Sequence, residues 1–337
     1  MILEAYLMRS PSDLLPKSAL VFLFLLAFHP VAYAQKLALV AGVPNTRKIE
    51  SPFGIACDAA GNLYIAEAFG HRVLKLDAKG SLTAIAGNGK KGDGGDGGLA
   101  LEGQFNFMHD LIVARNGDVY VADSDNYRVR KIDAKTGILS TVAGVGKKDL
   151  SGDGGLANKA GLDGVASIFF DSGEKKLYVG GFTNRVRVID METGIIETVK
   201  GLAGGRSLAV DSKGNLYVAG GQTLRVRRPD GTVETLLDAK NTGGATHPLS
   251  SNPKHLAIDA QDNVLIAEDN AHCIRKYVVA EKKLVDVAGT GKKGAGGLGG
   301  PPAAAELAAP HGVFFHRPTG VIYIGDTLNN RVVKIEP

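Results

Sequence analysis

PFGIACDAAGNLYIAEAFGHRVLKLDAKGSLTAIAG (residues 52–87) and HDLIVARNGDVYVADSDNYRVRKIDAKTGILSTVAG (residues 109–144) are two copies of one pattern. Each copy has an apolar stretch, a Gly/Asn/Asp turn, a strand like Leu-Tyr-Val-Ala-Asp, a loop with Arg-Val, and a strand ending at Ala-Gly. The remaining copies centre on residues 177–181, 215–220, 263–268 and 321–326. A unit that recurs at this spacing predicts a repeat architecture.

Within each copy, apolar and polar residues alternate with the period of half-buried β-strands, and turn sequences separate the runs. The pattern gives four strands per copy, joined by hairpins. Six such units predict an all-β fold, a six-bladed β-propeller with four-stranded antiparallel blades. The sixth copy stops after its third strand. We therefore expect residues 36–42, which match a fourth strand, to complete the last blade and close the ring.

Residues 1–34 have the features of an export signal. Lys17 precedes an apolar run from Ala19 to Phe28, and Ala32-Tyr33-Ala34 supplies a small-x-small cleavage pattern. A transmembrane anchor is the alternative, but the run is shorter than the roughly 20 residues that a spanning helix needs. The sequence thus predicts a signal peptide over 1–34 and a propeller over 35–337. The mature protein is expected to be a monomer without a membrane anchor, in the periplasm or outside the cell.

The charges and cysteines limit the partners and cross-links. A total of 39 Lys+Arg against 35 Asp+Glu, a net charge of +4, gives no reason to expect nucleic acid as a partner. Cys57 and Cys273 lie in copies that are not adjacent. Two buried free thiols are therefore expected, rather than a disulfide.

The repeated residues resemble the NHL-repeat family. The family pattern is carried in the first copy by Gly54-Ile-Ala-Cys-Asp58, Asn62-Leu-Tyr-Ile-Ala-Glu67 and His71-Arg-Val73, and its end recurs at Asn329-Asn-Arg-Val332. The resemblance covers essentially the whole chain after residue 34. It implies a propeller fold, which hosts binding modules and enzymes alike.

An acidic residue is followed five positions later by arginine in three copies, as Glu67/Arg72, Asp123/Arg128 and Asp326/Arg331. The acid ends the second strand and the arginine begins the third, so each pair is expected to form an ion pair across a hairpin. The sequence has no Trp, and most of its tyrosines occupy the repeated strand position. An aromatic platform for stacking sugars or bases is therefore not expected.

Three long connections between blades begin alike, with Ala-Gly-x-Gly-Lys-Lys at residues 86–91, 143–148 and 288–293. They lack the first glycine and the Ser/Thr of a phosphate-binding loop, which argues against a nucleotide site. Asp93, Asp96 and Asp153 in these inserts could bind calcium, or the inserts could simply be turns that fold back over the blade. Their lysines, with Lys90, Lys147 and Lys292 as candidate binding residues, favour an anionic partner.

Propeller topology brings the first residue of each inner strand to one end of the central channel. These residues are Phe53, His109, Ala166, Arg206, Lys254 and His311. The segments around His109 and His311 resemble the metal-binding segments of the peptidyl-hydroxyglycine amidating lyases, which hold zinc through histidines of three alternate blades. That resemblance implies that His109 and His311 are metal ligands, yet the third position is Arg206, which cannot bind a metal.

Two functional hypotheses follow. The first is an exported, non-enzymatic binding propeller that uses the insert-bearing face and the channel mouth for a protein or a small anionic ligand. Its candidate ligand-binding residues are Phe53, Arg206, Lys254, Lys90, Lys147 and Lys292. The alternative is a metal-dependent lyase or lactone hydrolase, with zinc or calcium held by His109 and His311 at the channel axis.

Overall fold

The computed structural model describes residues 35–42, 49–183, 185–202, 205–250 and 252–336, and these form six four-stranded antiparallel sheets. The predicted export signal lies outside the described residues. Within the described ranges, no helix has the length and apolar character needed to cross a membrane.

The strands follow the predicted order of four per blade. In the first half of the chain they are β1 (Leu37–Gly42), β2 (Pro52–Cys57), β3 (Leu63–Glu67), β4 (Arg72–Leu76), β5 (Leu82–Ala86), β6 (Met108–Val113), β7 (Val119–Asp123), β8 (Arg128–Ile132), β9 (Leu139–Ala143), β10 (Val165–Phe170), β11 (Lys176–Gly181) and β12 (Val186–Asp190). In the second half they are β13 (Ile196–Thr198), β14 (Ser207–Val210), β15 (Leu216–Gly220), β16 (Thr223–Arg227), β17 (Val233–Leu237), β18 (Pro253–Ile258), β19 (Val264–Glu268), β20 (Cys273–Val278), β21 (Lys283–Ala288), β22 (Gly312–His316), β23 (Val321–Asp326) and β24 (Arg331–Ile335). Short 3₁₀ turns lie at Ala100–Glu102, Ser124–Asn126, Ala157–Lys159, Pro302–Ala304 and Thr327–Asn329.

The six sheets form a closed ring, as a propeller requires. The inner strands β2, β6, β10, β14, β18 and β22 each pack against the inner strands of both neighbouring blades. The last blade has the strand order β22-β23-β24-β1, with Leu37 opposite Ile335. The predicted six-bladed all-β architecture is therefore confirmed.

Apolar side chains fill the space between successive blades. One cluster joins Ala122 and Val129 of the second blade to Ile168 and Leu177 of the third. None of these four side chains has exposed surface. The apolar faces of a blade are buried only by the adjacent blades, because a single sheet cannot cover its own two faces. Each blade is therefore stabilised by its neighbours. Cys57 and Cys273 are both buried and free, as predicted.

The predicted hairpin ion pairs form in two of the three blades. Arg72 lies 2.8 Å from Glu67, and Arg331 lies 2.7 Å from Asp326. The third prediction is wrong, because Asp123 pairs with Arg130 at 3.3 Å while Arg128 reaches Asp93 at 3.2 Å. Arg130 is the diagonal neighbour of Asp123 across β7 and β8, a position within reach of a long side chain.

The inserts fold back as the turn interpretation predicts, and their aspartates are engaged by arginines. Asp96 lies 2.7 Å from Arg130 and Asp153 lies 2.7 Å from Arg187. Each insert also hydrogen-bonds to the first residues of the outer strand in the next blade, as when the Gly97 N–H donates to Leu139 O at 2.8 Å. The inserts thereby cover exposed strand edges, which would otherwise offer a template for aggregation.

Candidate functional site

The channel mouth is the end of the propeller at which the inner strands begin, and it is formed by Phe53, His109, Arg206, Lys254 and His311. Three of these residues are placed by β-bulges. The pairing register shifts between Met108 and Asp110, between Pro253 and His255, and between Pro52 and Ile55. A bulge leaves one residue out of the ladder and redirects its side chain, a device common beside functional sites.

The five side chains converge as the topology predicts. The Phe53 ring stacks on His311 with 3.9 Å between centroids and an interplanar angle of 11°. The two imidazoles lie 5.4 Å apart between centroids. Arg206 Nη2 lies 3.4 Å from His311 Nε2, and Lys254 Nζ lies 3.0 Å from Asp269 Oδ2. Strands that are more than 200 positions apart in sequence thus build one cluster.

Hydrogen bonds fix the tautomers of both histidines. His109 Nδ1 lies 2.7 Å from Ser124 Oγ and 3.2 Å from Phe107 O, and the Ser124 hydroxyl itself donates to Val165 O. His109 Nδ1 must therefore carry the proton. His311 Nε2 faces a guanidinium, which can only donate, so its proton lies on Nδ1, a buried atom without a partner.

Burial and nearby cations keep both imidazoles neutral. Burial, together with the charge of Arg206, lowers the pKa of His109 from 6.5 to about 3. Burial lowers the pKa of His311 well below 6.5, and His109 and Arg206 add to that effect. The mouth therefore presents neutral imidazoles next to two cations, Arg206 and Lys254.

The charge of the mouth is positive and incompletely neutralised. Lys254 is paired with Asp269, whereas Arg206 has no carboxylate within ion-pair distance among the described residues. Arg206 Nε is buried and lacks any hydrogen-bond partner. Burial lowers the pKa of Lys254, and the charge of Arg206 contributes to the same shift. An anion that enters the mouth would accept a hydrogen bond from the unpaired Arg206 donor. It would also reduce the repulsion between Arg206 and Lys254.

A phenylalanine rim borders the mouth at the first three blades, contrary to the expectation that aromatic stacking would be poorly supplied. Phe69, Phe107 and Phe182 form the rim, and Phe69 and Phe182 are 55% and 47% exposed. The Arg206 guanidinium lies 5.1 Å from the Phe182 ring centroid, and Phe107 packs edge-on to His109 at 4.7 Å. The number of Trp and Tyr residues alone did not predict this rim, because it consists of phenylalanines. The signal was phenylalanine in the loops that follow the second strands of the first and third blades.

Phe107 adopts the left-handed backbone region, with φ of 56°. Ser51 and Ala309 lie two residues before Phe53 and His311, as Phe107 does before His109, and they have φ of 48° and 49°. This conformation is uncommon for residues other than glycine and tends to occur where the surroundings impose it at functional sites.

The residues of the mouth do not fit a metal ion. The described part of the chain contains no group of three His, Cys, Asp or Glu side chains that could hold one. His109 Nδ1 is already hydrogen-bonded, and the acceptor nitrogen of His311 faces the Arg206 guanidinium at 3.4 Å. A metal cation at His311 would therefore replace a hydrogen bond with a repulsive contact. The geometry gives the metal-dependent lyase or lactonase hypothesis no support.

A buried ion pair, which the sequence reasoning missed, crosses the channel next to the mouth. His255 Nε2 lies 2.9 Å from Asp110 Oδ1, and His255 Nδ1 lies 2.9 Å from Val313 O. Asp110 Oδ2 also accepts the Ile168 N–H at 2.9 Å. This network joins four blades through one carboxylate. In the sequence, this ion pair is indicated only by a polar residue directly after each of two mouth residues, namely Asp110 after His109 and His255 after Lys254.

The insert lysines Lys90, Lys147 and Lys292 are exposed, and none of the three forms an ion pair within the described ranges. The contacts that unite the five mouth residues do not include these lysines. Their role in ligand binding stays a prediction.

The neutral imidazoles predict a loss of stability on acidification. A lowered folded-state pKa means that the unfolded chain binds more protons between about pH 3 and 6.5, so stability is complete above pH 6.5 and falls below it. We expect the wild-type free energy of unfolding to drop by about 2 kcal/mol more than that of His109→Gln between pH 7 and 4.5. Urea titrations at several pH values measure this difference.

His247→Gln provides the matched control, because it removes an exposed imidazole that is not one of the mouth residues. Equal acid sensitivity of His109→Gln and the wild type would contradict the neutral, buried state of this imidazole.

Known proteins are similar to this chain in sequence or in fold. No model of a known protein family matches the chain. NHL repeat-containing protein 2 of Gallus gallus is 24% identical over 348 residues, covering 84% of this chain and 46% of the relative. The chain spans less than half the length of the curated relatives it matches.

Two solved structures have a similar fold at low sequence identity. An auxiliary nutrient binding protein from Bacteroides thetaiotaomicron has a TM-score of 0.66 and 12% identity, with 89% of this chain and 76% of that chain covered. Virginiamycin B lyase from Staphylococcus aureus has a TM-score of 0.57 and 13% identity, with 90% and 99% covered. At these identities the likeness concerns the fold alone. Taken with the NHL-repeat relatives and the repeat in every blade, it confirms the predicted resemblance of this chain to NHL-repeat β-propellers.

Proposed function

We propose that the chain is a binding module whose channel mouth takes a small organic anion with an aromatic or apolar body. The observation that carries this proposal is Arg206, a half-buried guanidinium with an unpartnered Nε and no carboxylate partner in the described residues. A carboxylate or phosphate is the group that best satisfies such a donor.

The phenylalanine rim supports an aromatic or apolar body for the ligand. Phe182 exposes a large apolar ring beside Arg206, and Phe69 exposes another beside Phe53 and Phe107. Neutral His109 offers an acceptor nitrogen on the same cluster. A planar anion could stack on a ring while its charged group meets Arg206 and Lys254. Concave apolar sites with a few fixed polar groups are typical of small-ligand binding.

Export of the protein is also part of this proposal. Export rests on residues 1–34 of the sequence alone. A neighbour described as a nutrient binding protein is in keeping with a binding role, although that description belongs to the neighbour. One structural neighbour, virginiamycin B lyase, is a lyase. The described residues of the mouth, however, form no metal site that a metal-dependent lyase would need.

Calorimetric titration with 4-bromobenzoate tests the proposal. We expect Arg206→Gln to weaken binding by about 10- to 100-fold, because a hydrogen bond to a charged group is lost. Binding should also weaken with added salt. Arg228→Gln is the matched control, because Arg228 lies in the same blade but pairs with Glu234 away from the mouth. The wild type should bind 4-bromobenzyl alcohol far more weakly. Equal affinity for the alcohol, or an unchanged affinity in Arg206→Gln, would contradict the proposal.

A further inference from the structure

A cavity opens at the end of the propeller opposite the channel mouth, where the inner strands end. It has a volume of about 550 Å³ and is lined by the last residues of all six inner strands and by the turns that follow five of them. We call it the far cavity. Its volume lies within the range of about 300–1,000 Å³ that small-molecule sites have.

The wall of the far cavity is apolar. Ile112, Phe169, Phe314 and Ile258 come from four different blades and line it together. Ile112, Phe169 and Phe314 are only partly buried, so the ring leaves apolar surface facing this space. A ligand that covers such surface gains the free energy of removing it from water.

The polar rim of the far cavity is occupied by the protein's own hydrogen bonds. Asp58 accepts the N–H groups of Ala60 and Asn62 at 3.0 and 2.9 Å. Asp211 accepts the N–H groups of Lys213 and Asn215, both at 2.9 Å. These carboxylates hold the turns together and have no need of a ligand.

One polar side chain on the wall is not satisfied. His316 is 6% exposed, and its Nδ1 lies 2.8 Å from Thr319 Oγ1. Its Nε2 is buried and has no partner, the only such side-chain nitrogen or oxygen among the described residues that line the far cavity. A buried polar atom left without a partner is costly, so a ligand group that hydrogen-bonds to Nε2 would be favoured.

The charge at this end is opposite to that of the channel mouth. The lining includes four carboxylates (Asp58, Asp171, Glu174 and Asp211) and two arginines (Arg115 and Arg317). Arg115 is already 3.8 Å from Glu174, and Arg317 is 3.5 Å from Asp262. An anionic ligand is therefore disfavoured here, whereas a neutral one carries no electrostatic cost.

From these observations we infer that the far cavity is a second binding site, which takes an uncharged, apolar small molecule carrying one hydrogen-bonding group that meets His316 Nε2. The site does not depend on the anion proposed for the channel mouth. The two ends of one channel would then bind ligands of different chemistry.

Fluorescence titration of the full chain with the neutral dye Nile red tests this inference. We expect 1:1 binding that weakens at least tenfold in Ala59→Phe, because Ala59 lies on the lining and a phenyl ring there would fill the opening. Ala60→Phe is the matched control, since Ala60 is the exposed neighbour and is not part of the lining. Arg206→Gln should leave Nile red binding unchanged, which separates this site from the mouth.

Displacement of Nile red by two molecules of similar size tests the role of His316. We expect 1-naphthol to compete about tenfold better than 1-methylnaphthalene, because only the naphthol can hydrogen-bond to Nε2. His316→Leu should remove that difference, and His316→Gln should restore part of it. Naphthalene-1-carboxylate should not displace the dye.

The inference is overturned by the absence of saturable Nile red binding, by equal binding in Ala59→Phe and Ala60→Phe, or by loss of binding in Arg206→Gln. Equal competition by the naphthol and the methylnaphthalene would overturn the assignment of His316.

Discussion

Replacing Asp110 by alanine is expected to lower the free energy of unfolding by about 3–5 kcal/mol, because removal of one partner leaves a buried charge unpaired. Asp110 has no exposed surface, and His255 is 5% exposed. Both His255 ring nitrogens face acceptors, so the imidazole is protonated. The variant would also leave the Ile168 N–H unpaired in the ring of inner strands. Denaturant unfolding at pH 6 measures the loss.

The effect should shrink as the pH rises. Burial by itself would lower the pKa of His255, but the charge and hydrogen bond of Asp110 outweigh it, and the pKa is raised above 6.5. The stabilisation is therefore complete below pH 6.5 and is lost as the pH rises through the folded-state pKa.

Asp286→Ala is the matched control for Asp110→Ala. Asp286 lies 3.7 Å from Arg275 with a side chain that is 73% exposed, so its loss should cost at most about 1 kcal/mol. A similarly small cost for Asp110→Ala would show that the pair across the channel does not stabilise the ring.

Removal of β1 is expected to abolish cooperative folding. A chain that begins at residue 43 would leave β24 without its outer partner and would uncover the cluster that contains Leu37 and Ile335. An unpaired edge next to exposed apolar surface promotes aggregation. A chain that begins at residue 35 should unfold in a single transition. Circular dichroism and size-exclusion chromatography distinguish the two.

A point variant tests the same closure without a deletion. Leu37 is fully buried, and Leu37→Ala should cost about 2–5 kcal/mol. Lys36→Ala, at an exposed position, should stay within about 0.5 kcal/mol of the wild type. A stable, monomeric chain that begins at residue 43 would contradict the closure of the ring by β1.

The fold could be predicted from the sequence because its determinants are local and repeated. Apolar residues such as Leu63 and Ile65 in β3 and Ala86 in β5 mark the strands of one copy, and the other copies repeat them. The same topology predicted that Phe53, His109, Arg206, Lys254 and His311 would meet, since the position of a residue in its blade fixes the end of the channel at which it lies.

What the sequence did not predict depends on side-chain directions and loop conformations. His255 follows Lys254 by one position, and only the bulge in β18 decides that it points across the channel to Asp110. Phe107 and Phe182 lie in connections without a repeat pattern. The pairing of Asp123 with Arg130 instead of Arg128 reflects diagonal contact in a twisted hairpin, which spacing alone does not determine.

The central claim is that the ring brings Arg206, Lys254 and the phenylalanine rim together as a site for an organic anion. A crystal structure of the full chain with 4-bromobenzoate, phased on the anomalous signal of bromine, tests it most directly. We predict the bromine next to Phe69 or Phe182 and the carboxylate within hydrogen-bond distance of Arg206. Bromine found only beside the insert lysines Lys90, Lys147 and Lys292, with the mouth holding nothing but water, would contradict the claim.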